Sequence, residues 1–312
     1  MTIVCDQHIP FLVEAVRAFW PDVHIYPMES EQITNTSLRE ADVLVVRTRT
    51  HIDEALLHGS RVKMVCTATI GYDHIDTAYC ETHGIEWMSC PGCNAQAVCD
   101  YIEEAIRDII SADAFKRTPV TIGVVGVGHV GSLVADMARR KGYNVLLNDP
   151  PKQIGVSLDV IAQKCDIITF HTPLDSSTYH LCDEAFLCQC QPHAWIINAA
   201  RGGIVDEQAL LRSGHPFILD TWENEPRINI EVLSRSYRAS MHIAGYSIEG
   251  KRNATQMCLD AIAHTFGLSP IPPISSSVSE GDTAPGWLER ISLQLKKQPE
   301  SFELLRKNYP LR

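Results

Sequence analysis

Three glycines at fixed spacing and a following acidic residue form the first candidate site in this 312-residue chain. Gly126, Gly128 and Gly131 follow a short β-branched run and open a stretch with helical spacing; a second apolar run then ends at Asp149. In a strand–turn–helix–strand unit, such glycines allow a tight turn and close approach to a pyrophosphate, which the helix N-terminus attracts. A carboxylate at Asp149 would hold ribose hydroxyls and repel a 2′-phosphate, and no arginine follows it. The stretch predicts a dinucleotide site that favours NAD over NADP.

Three further residues could do chemistry beside a nicotinamide. Arg201 stands among glycines after an apolar run, where its guanidinium could bind a carboxylate through two parallel hydrogen bonds. His242 is flanked by apolar residues, and an imidazole, with an ordinary pKa of ~6.5, suits exchange of a hydroxyl proton. Glu225 could hydrogen-bond that imidazole and favour its charged form. Hydride transfer would use all three, but a surface arginine, a core histidine and a helix-capping glutamate are open readings of the same residues.

The elements that must position these residues alternate between strands and helices. Apolar runs predict strands at 3–4, 43–46, 64–66, 122–125, 145–147, 166–170, 194–198 and 217–220. Helical spacing predicts helices near 10–20, 95–112, 158–163, 206–212, 248–266, 287–295 and 301–307. The alternation is typical of parallel α/β sheets, in which ligands bind where the strands end. Residues 1 to about 90 then form a small α/β domain that precedes the nucleotide fold.

The composition indicates a globular protein with excess negative charge. Hydrophobic residues make up 45% and charged residues 21% of the chain, and the formal net charge is −11. No apolar run approaches the ~20 residues of a membrane span, and the first residues lack a basic region. We therefore expect no membrane partner, no signal peptide and a cytoplasmic location. The negative charge also argues against a nucleic-acid partner.

The cysteines predict thiols rather than disulfides or a metal centre. The chain has 11 of them, an odd number, and they are scattered. Without a secretion signal this pattern indicates a reducing compartment. Cys90 and Cys93 form the one C-x-x-C pair, and no second pair stands at zinc spacing. We therefore expect no metal site.

Several segments resemble the D-2-hydroxyacid dehydrogenases, and the resemblance covers roughly residues 1–266. Three match the family's ordered Arg, Glu and His motifs: RGGIVD at 201–206, DTWENEP at 220–226 and HIAG at 242–245. Four others are most similar to family members that oxidise 4-phospho-D-erythronate in vitamin B6 synthesis: TATIGYDHID at 67–76, PGCNA at 91–95, FHTPL at 170–174 and HIAGYSIEGK at 242–251. The resemblance implies an α/β fold in which a Rossmann NAD-binding domain is inserted in a flavodoxin-like substrate domain.

The same resemblance implies a role for each site residue. Arg201 would bind and polarise the substrate, Glu225 would support the base, and His242 would accept and donate the proton. Substrate contacts are implied at Thr48, Thr69 and Tyr246. Contacts with the cofactor NAD are implied at Gly126, Gly128, His129, Val130, Gly131, Asp149, Thr172, Ala199, Ala200, Arg201, Asp220 and Gly245.

We predict three segments along the chain. Residues 1–94 would form the N-terminal part of the substrate domain and residues 95–266 the NAD-binding domain. Residues 267–312 would form a linker rich in Pro and Ser and a shortened tail that packs on the substrate domain. Relatives carry a further C-terminal domain used in dimer formation. Because the family also pairs through its nucleotide domain, a homodimer is still the expectation.

The resemblance further implies NAD-dependent oxidation of 4-phospho-D-erythronate, a small phosphorylated hydroxy acid, to the 2-oxo acid. Arg47, Arg49 and Lys251 are the candidates for holding its phosphate. One alternative is another dehydrogenase of the family, acting on phosphoglycerate or hydroxypyruvate, because all of these share the catalytic residues. A second is a non-enzymatic NAD-sensing protein with the same fold.

Overall fold

The computed structural model describes residues 1–112, 119–275, 284 and 286–310. The strands in these ranges are β1 Thr2–Asp6, β2 His24–Met28, β3 Val43–Val46, β4 Met64–Thr67, β5 Glu86–Met88, β6 Thr121–Val125, β7 Asn144–Asp149, β8 Ile154–Gly155, β9 Ile167–Phe170, β10 Trp195–Asn198, β11 Phe217–Leu219 and β12 Arg238–Ala239. The α-helices are α1 Leu12–Phe19, α2 Glu54–Leu57, α3 Thr77–Thr82, α4 Ala95–Ser111, α5 His129–Arg140, α6 Leu158–Lys164, α7 Glu184–Gln189, α8 Glu207–Ser213, α9 Ile230–Arg235, α10 Ile248–Phe266, α11 Trp287–Lys297 and α12 Phe302–Lys307. Residues 276–283 and 285 of the predicted linker lie outside the described ranges.

The first compact unit, Met1–Asn94 with Ser247–Ser279, is built on a five-stranded parallel sheet. Its strand order is β2-β1-β3-β4-β5, which is the flavodoxin order. Strands β3 and β4 are buried along their whole length because helices cover both faces of the sheet. Successive side chains alternate between two cores. Ile3, Val43 and Met64 pack with α1 and α10, and Val4, Leu44 and Val65 pack with α2 and α3.

The second compact unit, Ala95–Tyr246 with Glu280–Arg312, contains a seven-stranded sheet. Its order is β12-β11-β10-β9-β6-β7-β8, in which only the two-residue β8 runs antiparallel to its neighbour among the described pairings. Counted from its first strand, the order is 3-2-1-4-5-6-7. This is the Rossmann order with one strand added at the edge. The predicted fold class, a Rossmann domain inserted in a flavodoxin-like domain, is confirmed.

Two segments belong to a different unit from the one that the sequence predicts. Helix α10 was expected in the NAD-binding domain, but its buried Ala254, Cys258 and Leu259 pack in the core of the first unit. The C-terminal tail was expected on the substrate domain, but Trp287 and Phe302 lie in the core of the second. Helical spacing shows which face of a helix is apolar but not which sheet that face packs on. The assignment of both segments by their order in the sequence was therefore wrong.

The cysteines are reduced, and all but Cys188 are buried. Cys90 Sγ lies 3.7 Å from Cys258 Sγ and donates to the Thr67 carbonyl oxygen. Burial raises the pKa of the Cys93 thiol to about 12, so it is protonated at neutral pH. No helix in the described ranges is long and apolar enough to cross a membrane.

Candidate active site

The glycine-rich turn at the end of β6 has the geometry that its spacing predicts. Gly126 has φ +87°, and a Cβ there would lie 2.7 Å from the His171 carbonyl, so any side chain would displace the loop after β9. Gly128 precedes α5, and a Cβ on it would meet no atom within 4 Å among the described residues. That open face at a helix N-terminus, where backbone N–H groups lack intrahelical partners, suits a pyrophosphate. His129, Val130 and Gly131 form the first turn of the helix.

Asp149 ends β7 beside this turn and is buried. Its carboxylate accepts hydrogen bonds from the Val127 N–H at 2.8 Å and the Lys152 N–H at 3.2 Å. The Lys152 ammonium donates to the Val127 carbonyl oxygen at 2.7 Å and lies 3.9 Å from the carboxylate. A cation therefore does follow Asp149, although no arginine does. These contacts fix both the carboxylate and the turn, and the NAD contact at Asp149 remains a prediction.

We expect the unmodified protein to bind NADH more tightly than NADPH, and Asp149→Ala to narrow that gap. The variant loses the carboxylate that would hold the ribose hydroxyls, and hydrogen bonds to a charged group contribute about 1.5–3 kcal/mol, so NADH affinity should fall roughly 10- to 150-fold. Fluorescence titration with both reduced cofactors measures the effect. Asp159→Ala, which removes an exposed carboxylate from α6, is the control. Equal affinities in the unmodified protein would refute the assignment.

The loops after β9 and β10 carry the next predicted cofactor residues. The two strands are neighbours in the sheet, and β9 also pairs with β6, so their ends lie at one edge. The Thr172 hydroxyl is buried and has no hydrogen-bond partner within the described residues. Buried polar atoms are nearly always satisfied, so this one fits a group that a bound ligand supplies. Ala199 and Ala200 follow β10 directly, and the described residues of this edge fit a dinucleotide.

His242 lies in a strained loop that Asp220 holds together. The backbone of His242 is in the left-handed region at φ +57°, and its N–H donates to the Asp220 carbonyl oxygen at 2.8 Å. The buried Asp220 carboxylate accepts the N–H groups of Ile243 and Ala244, both at 2.8 Å, and the Ser240 hydroxyl at 2.6 Å. Strain of this kind persists where neighbouring contacts over-determine it, and it concentrates at functional sites. The NAD contacts at Asp220 and Gly245 remain predictions.

Glu225 and His242 form the hydrogen-bonded pair that the sequence predicts. His242 Nδ1 lies 2.8 Å from Glu225 Oε2, while Glu225 Oε1 accepts the Trp222 N–H at 2.9 Å. Burial by itself would raise the pKa of the Glu225 carboxyl. The hydrogen bond and charge of His242, the Trp222 N–H and the charge of Arg306 outweigh burial, so this pKa lies below its ordinary value. Within the described residues His242 Nε2 makes no hydrogen bond, which leaves it for a substrate.

Arg201 stands in the loop after β10, with its side chain half-buried. The side-chain amide of the buried Asn198 bridges this loop by donating to the Arg201 carbonyl oxygen at 2.8 Å and accepting the Ala200 N–H at 3.0 Å. A Cβ on Gly202 would collide with the Trp222 carbonyl, so the loop packs directly against the segment that leads to Glu225. The sequence did not single out Asn198, although a polar residue ending an apolar strand was a signal for it.

The predicted residues of the second unit therefore meet at one edge of its sheet. Arg201, Glu225 and His242 follow the neighbouring strands β10, β11 and β12. The glycine turn follows β6, and Asp149 is the last residue of the neighbouring strand β7. In doubly wound sheets, ligands bind at this edge, where the strand order reverses. A cation, a base paired with a carboxylate and a dinucleotide turn can together transfer a hydride and a proton.

A second group of charged residues in the second unit was not predicted. The ring nitrogens of His180 lie 2.8 Å from Glu223 Oε1 and 3.7 Å from Asp206 Oδ2. Burial, with the charge of Glu223, raises the pKa of Glu207 to about 7 despite a hydrogen bond from the Glu223 N–H. His180, Asp206 and Glu223 include the atom types of a metal site. Here the imidazole already pairs with both carboxylates, and the absence of a metal stays a prediction.

Thr48 and Thr69, the predicted substrate contacts of the first unit, lie in the loops after its neighbouring strands β3 and β4. Thr48 is exposed. The Thr69 hydroxyl donates to the Gly71 carbonyl oxygen at 2.9 Å and lies 2.7 Å from the Thr67 hydroxyl. Arg49 is also exposed. Burial, and then the charge of Arg47, lowers the pKa of Lys251, the third candidate for the phosphate.

Arg47 is already engaged in an ion pair. Its guanidinium donates from Nε and Nη2 to the two carboxylate oxygens of Asp6, at 2.9 and 3.1 Å. The Asp6 side chain is fully buried, whereas that of Arg47 is 28% exposed. Burial by itself would raise the pKa of Asp6, but the Arg47 hydrogen bonds, the His8 N–H and the Ser30 hydroxyl together lower it. The ion pair therefore stabilises the charged carboxylate in the folded chain.

We expect Arg47→Ala to lower the free energy of unfolding by about 1.5–3 kcal/mol at neutral pH, because a buried carboxylate loses its cation. A carboxyl whose pKa is lowered on folding contributes stability above its unfolded pKa, and the contribution disappears as the pH falls through the lowered value. The deficit of the variant should therefore shrink in acid. Urea unfolding between pH 7 and pH 3 measures it, with the exposed Arg39→Ala as control. A deficit independent of pH would argue against the ion pair.

Comparison with known proteins agrees with this geometry. Residues 107–244 match the family model described as "D-isomer specific 2-hydroxyacid dehydrogenase, NAD binding domain". The structure of a 3-phosphoglycerate dehydrogenase of Entamoeba histolytica with bound NAD aligns with 89% of this chain and with 99% of its own length, with a TM-score of 0.69 and 24% identity. The structure of a D-lactate dehydrogenase of Aquifex aeolicus with NAD and lactic acid aligns with 86% of this chain and with 96% of its own length, with a TM-score of 0.65 and 23% identity. These structures share the fold.

More similar sequences narrow the assignment. A protein of Bacteroides fragilis named erythronate-4-phosphate dehydrogenase is 41% identical over all of this chain and 97% of its own length. One of Ectopseudomonas mendocina with the same name is 40% identical over 96% of this chain and 80% of its own. The chain therefore belongs to the NAD-dependent D-2-hydroxyacid dehydrogenase family. Its relatives at about 40% identity within that family are the erythronate-4-phosphate dehydrogenases.

Proposed function

We propose that this chain oxidises 4-phospho-D-erythronate at C2 to the 2-oxo acid, a step of vitamin B6 synthesis. The His242–Glu225 pair beside the dinucleotide turn carries the chemistry in this proposal, and the full-length similarity to enzymes of that name supports the substrate. We further propose that the protein acts in the cytoplasm, as its N-terminal sequence and its cysteines predict, and as a homodimer, as its resemblance to the family implies.

In the proposed reaction, His242 Nε2 removes the proton of the C2 hydroxyl while the C2–H bond breaks. When bound, NAD accepts the hydride. Arg201 holds the substrate carboxylate and, as C2 becomes a carbonyl, also polarises its oxygen. Glu225 accepts a hydrogen bond from the Nδ1–H group of His242, which fixes the ring and leaves Nε2 unprotonated for its task as base. Thr48, Thr69 and Tyr246 are the proposed substrate contacts.

Steady-state assays of the purified protein test this proposal. We expect the highest kcat/KM with 4-phospho-D-erythronate and NAD, and lower values with 3-phospho-D-glycerate and, in the reverse direction, hydroxypyruvate. A preference for either of the latter would make the chain another dehydrogenase of the family. If NADH binds but none of the three compounds is turned over, the NAD-sensing alternative gains instead.

A further inference from the structure

Arg306, on the C-terminal helix α12, lies against a residue of the candidate active site. Its Nε donates to the Tyr246 hydroxyl at 3.1 Å, and its guanidinium carbon is 5.8 Å from the centre of the Tyr246 ring. Tyr309, from the same end of the chain, meets that ring at a steep angle with centroids 6.5 Å apart. Tyr246 follows His242 by four residues, in the loop that leads from β12 to α10. The tail thus brings a cation to the proposed substrate-contact residue.

The same cation acts on the catalytic pair. The positive charge of Arg306 is among the influences that lower the pKa of Glu225, and the charge of Glu225 is among those that raise the pKa of Arg306 against the effect of burial. All these residues belong to the second unit. Together with the hydrogen bond to Tyr246, these influences indicate that Arg306 lies on the same side of the second unit as the His242–Glu225 pair.

The guanidinium retains donors for a further partner. Nη1 has one long contact, 3.4 Å, to Oε1 of the half-exposed Glu303, and Nη2 makes no hydrogen bond within the described residues. The side chain is only 25% exposed, so little water competes for these donors. A planar arginine fork matches the oxygens of a phosphate, and such charge-assisted pairs are stronger where water is excluded. With a chain charge of −11, a phosphorylated substrate needs such a local cation.

We propose that Arg306 binds the phosphate of the substrate, with the Tyr246 hydroxyl fixing its guanidinium, while Arg201 takes the carboxylate. This inference rests on the proposed function in one respect, that the substrate is a phosphorylated hydroxy acid. We prefer Arg306 to Arg47, which the sequence suggested for the phosphate, because Arg47 already uses two of its donors on the buried Asp6. The sequence motifs that resemble the family end at Lys251 and do not include Arg306.

The test compares two acids that differ only in the phosphate. In Arg306→Ala we expect kcat/KM for 4-phospho-D-erythronate to fall about 10- to 150-fold, the size of a lost hydrogen bond to a charged group. With D-erythronate it should stay within about two-fold of the unmodified protein, because that acid has no phosphate to lose. Arg306→Lys, which keeps the charge but not the fork, should lie between the two. Lys307→Ala, an exposed cation on the same helix, should change neither value.

Each remaining outcome decides the inference. Thermal melting and NADH titration show whether the variants fold. If both acids lose equally, Arg306 acts through Tyr246 or Glu225 and not on the phosphate; if neither changes, it has no part in recognition. An unmodified protein inactive on both erythronates refutes the proposed function, and the comparison then moves to 3-phospho-D-glycerate and D-glycerate. If the unmodified protein does not prefer the phosphorylated acid in either pair, the inference itself is overturned.

Discussion

Replacing His242 should reduce oxidation of the hydroxy acid by about 10² to 10⁴, the usual contribution of a positioned acid–base group. The imidazole Nε2 is the proposed acceptor of the C2 hydroxyl proton, and no other histidine is paired with Glu225 among the described residues. Because proton transfer is needed in both directions, reduction of the 2-oxo acid should fall by a similar factor. NADH affinity should change little, because the glycine turn follows β6 and the substitution leaves the predicted NAD contacts at Asp220 and Gly245 in place.

The choice of variant matters because His242 has φ +57°. Alanine is strained in that conformation, whereas asparagine adopts it more readily, so His242→Asn removes the base with the least disturbance of the loop. Single-turnover rates at saturating NAD avoid masking by product release. His264→Ala, an exposed histidine on α10, is the matched control. A loss of less than ten-fold in His242→Asn would remove His242 from the mechanism.

The central strands and the longest helix of the first unit were predictable for simple physical reasons. Strands β3 and β4 are buried on both faces, so their sequences are continuous apolar runs. Helix α10 occupies the predicted range because its ends are marked: the Ser247 hydroxyl accepts the Gly250 N–H at 2.9 Å, and Gly267 has φ +65°. Strand β2 was missed because it is an exposed edge that contains Pro27, a pattern typical of loops.

The parts of the site that a short sequence pattern defines were predictable from the sequence alone. The glycine turn and Asp149 fall within one strand–helix–strand unit, whose geometry is determined by residues close in sequence. Arg201, Glu225 and His242 required the family resemblance, because their individual surroundings also suit structural roles. Contacts between distant segments gave no sequence signal. The approach of Arg306 to Tyr246 joins residues 60 positions apart, and it depends on which unit the tail packs against.

The second large effect is expected from Glu225→Gln, because the two carboxylate oxygens have different partners. Oε1 accepts the Trp222 N–H and Oε2 meets His242 Nδ1. A glutamine that keeps its oxygen on the Trp222 N–H must turn its NH₂ group towards Nδ1. That group can only donate, so Nδ1 must accept and the ring proton moves to Nε2. The imidazole then has no lone pair for the substrate hydroxyl.

The rate of oxidation by Glu225→Gln should therefore fall by about 10²- to 10⁴-fold near neutral pH. In serine proteases, replacing the aspartate of the triad by asparagine likewise leaves the histidine in the wrong tautomer and slows catalysis by a similar factor. Loss of the negative charge also destabilises a protonated imidazole, so the plateau for reduction of the 2-oxo acid should move to lower pH. Single-turnover rates in both directions from pH 5 to pH 9 measure the two effects. Glu231→Gln, an exposed glutamate on α9, should alter neither. If the rates and the profile of Glu225→Gln match those of the unmodified protein, Glu225 only caps the Trp222 N–H, and Arg201 and His242 act without it.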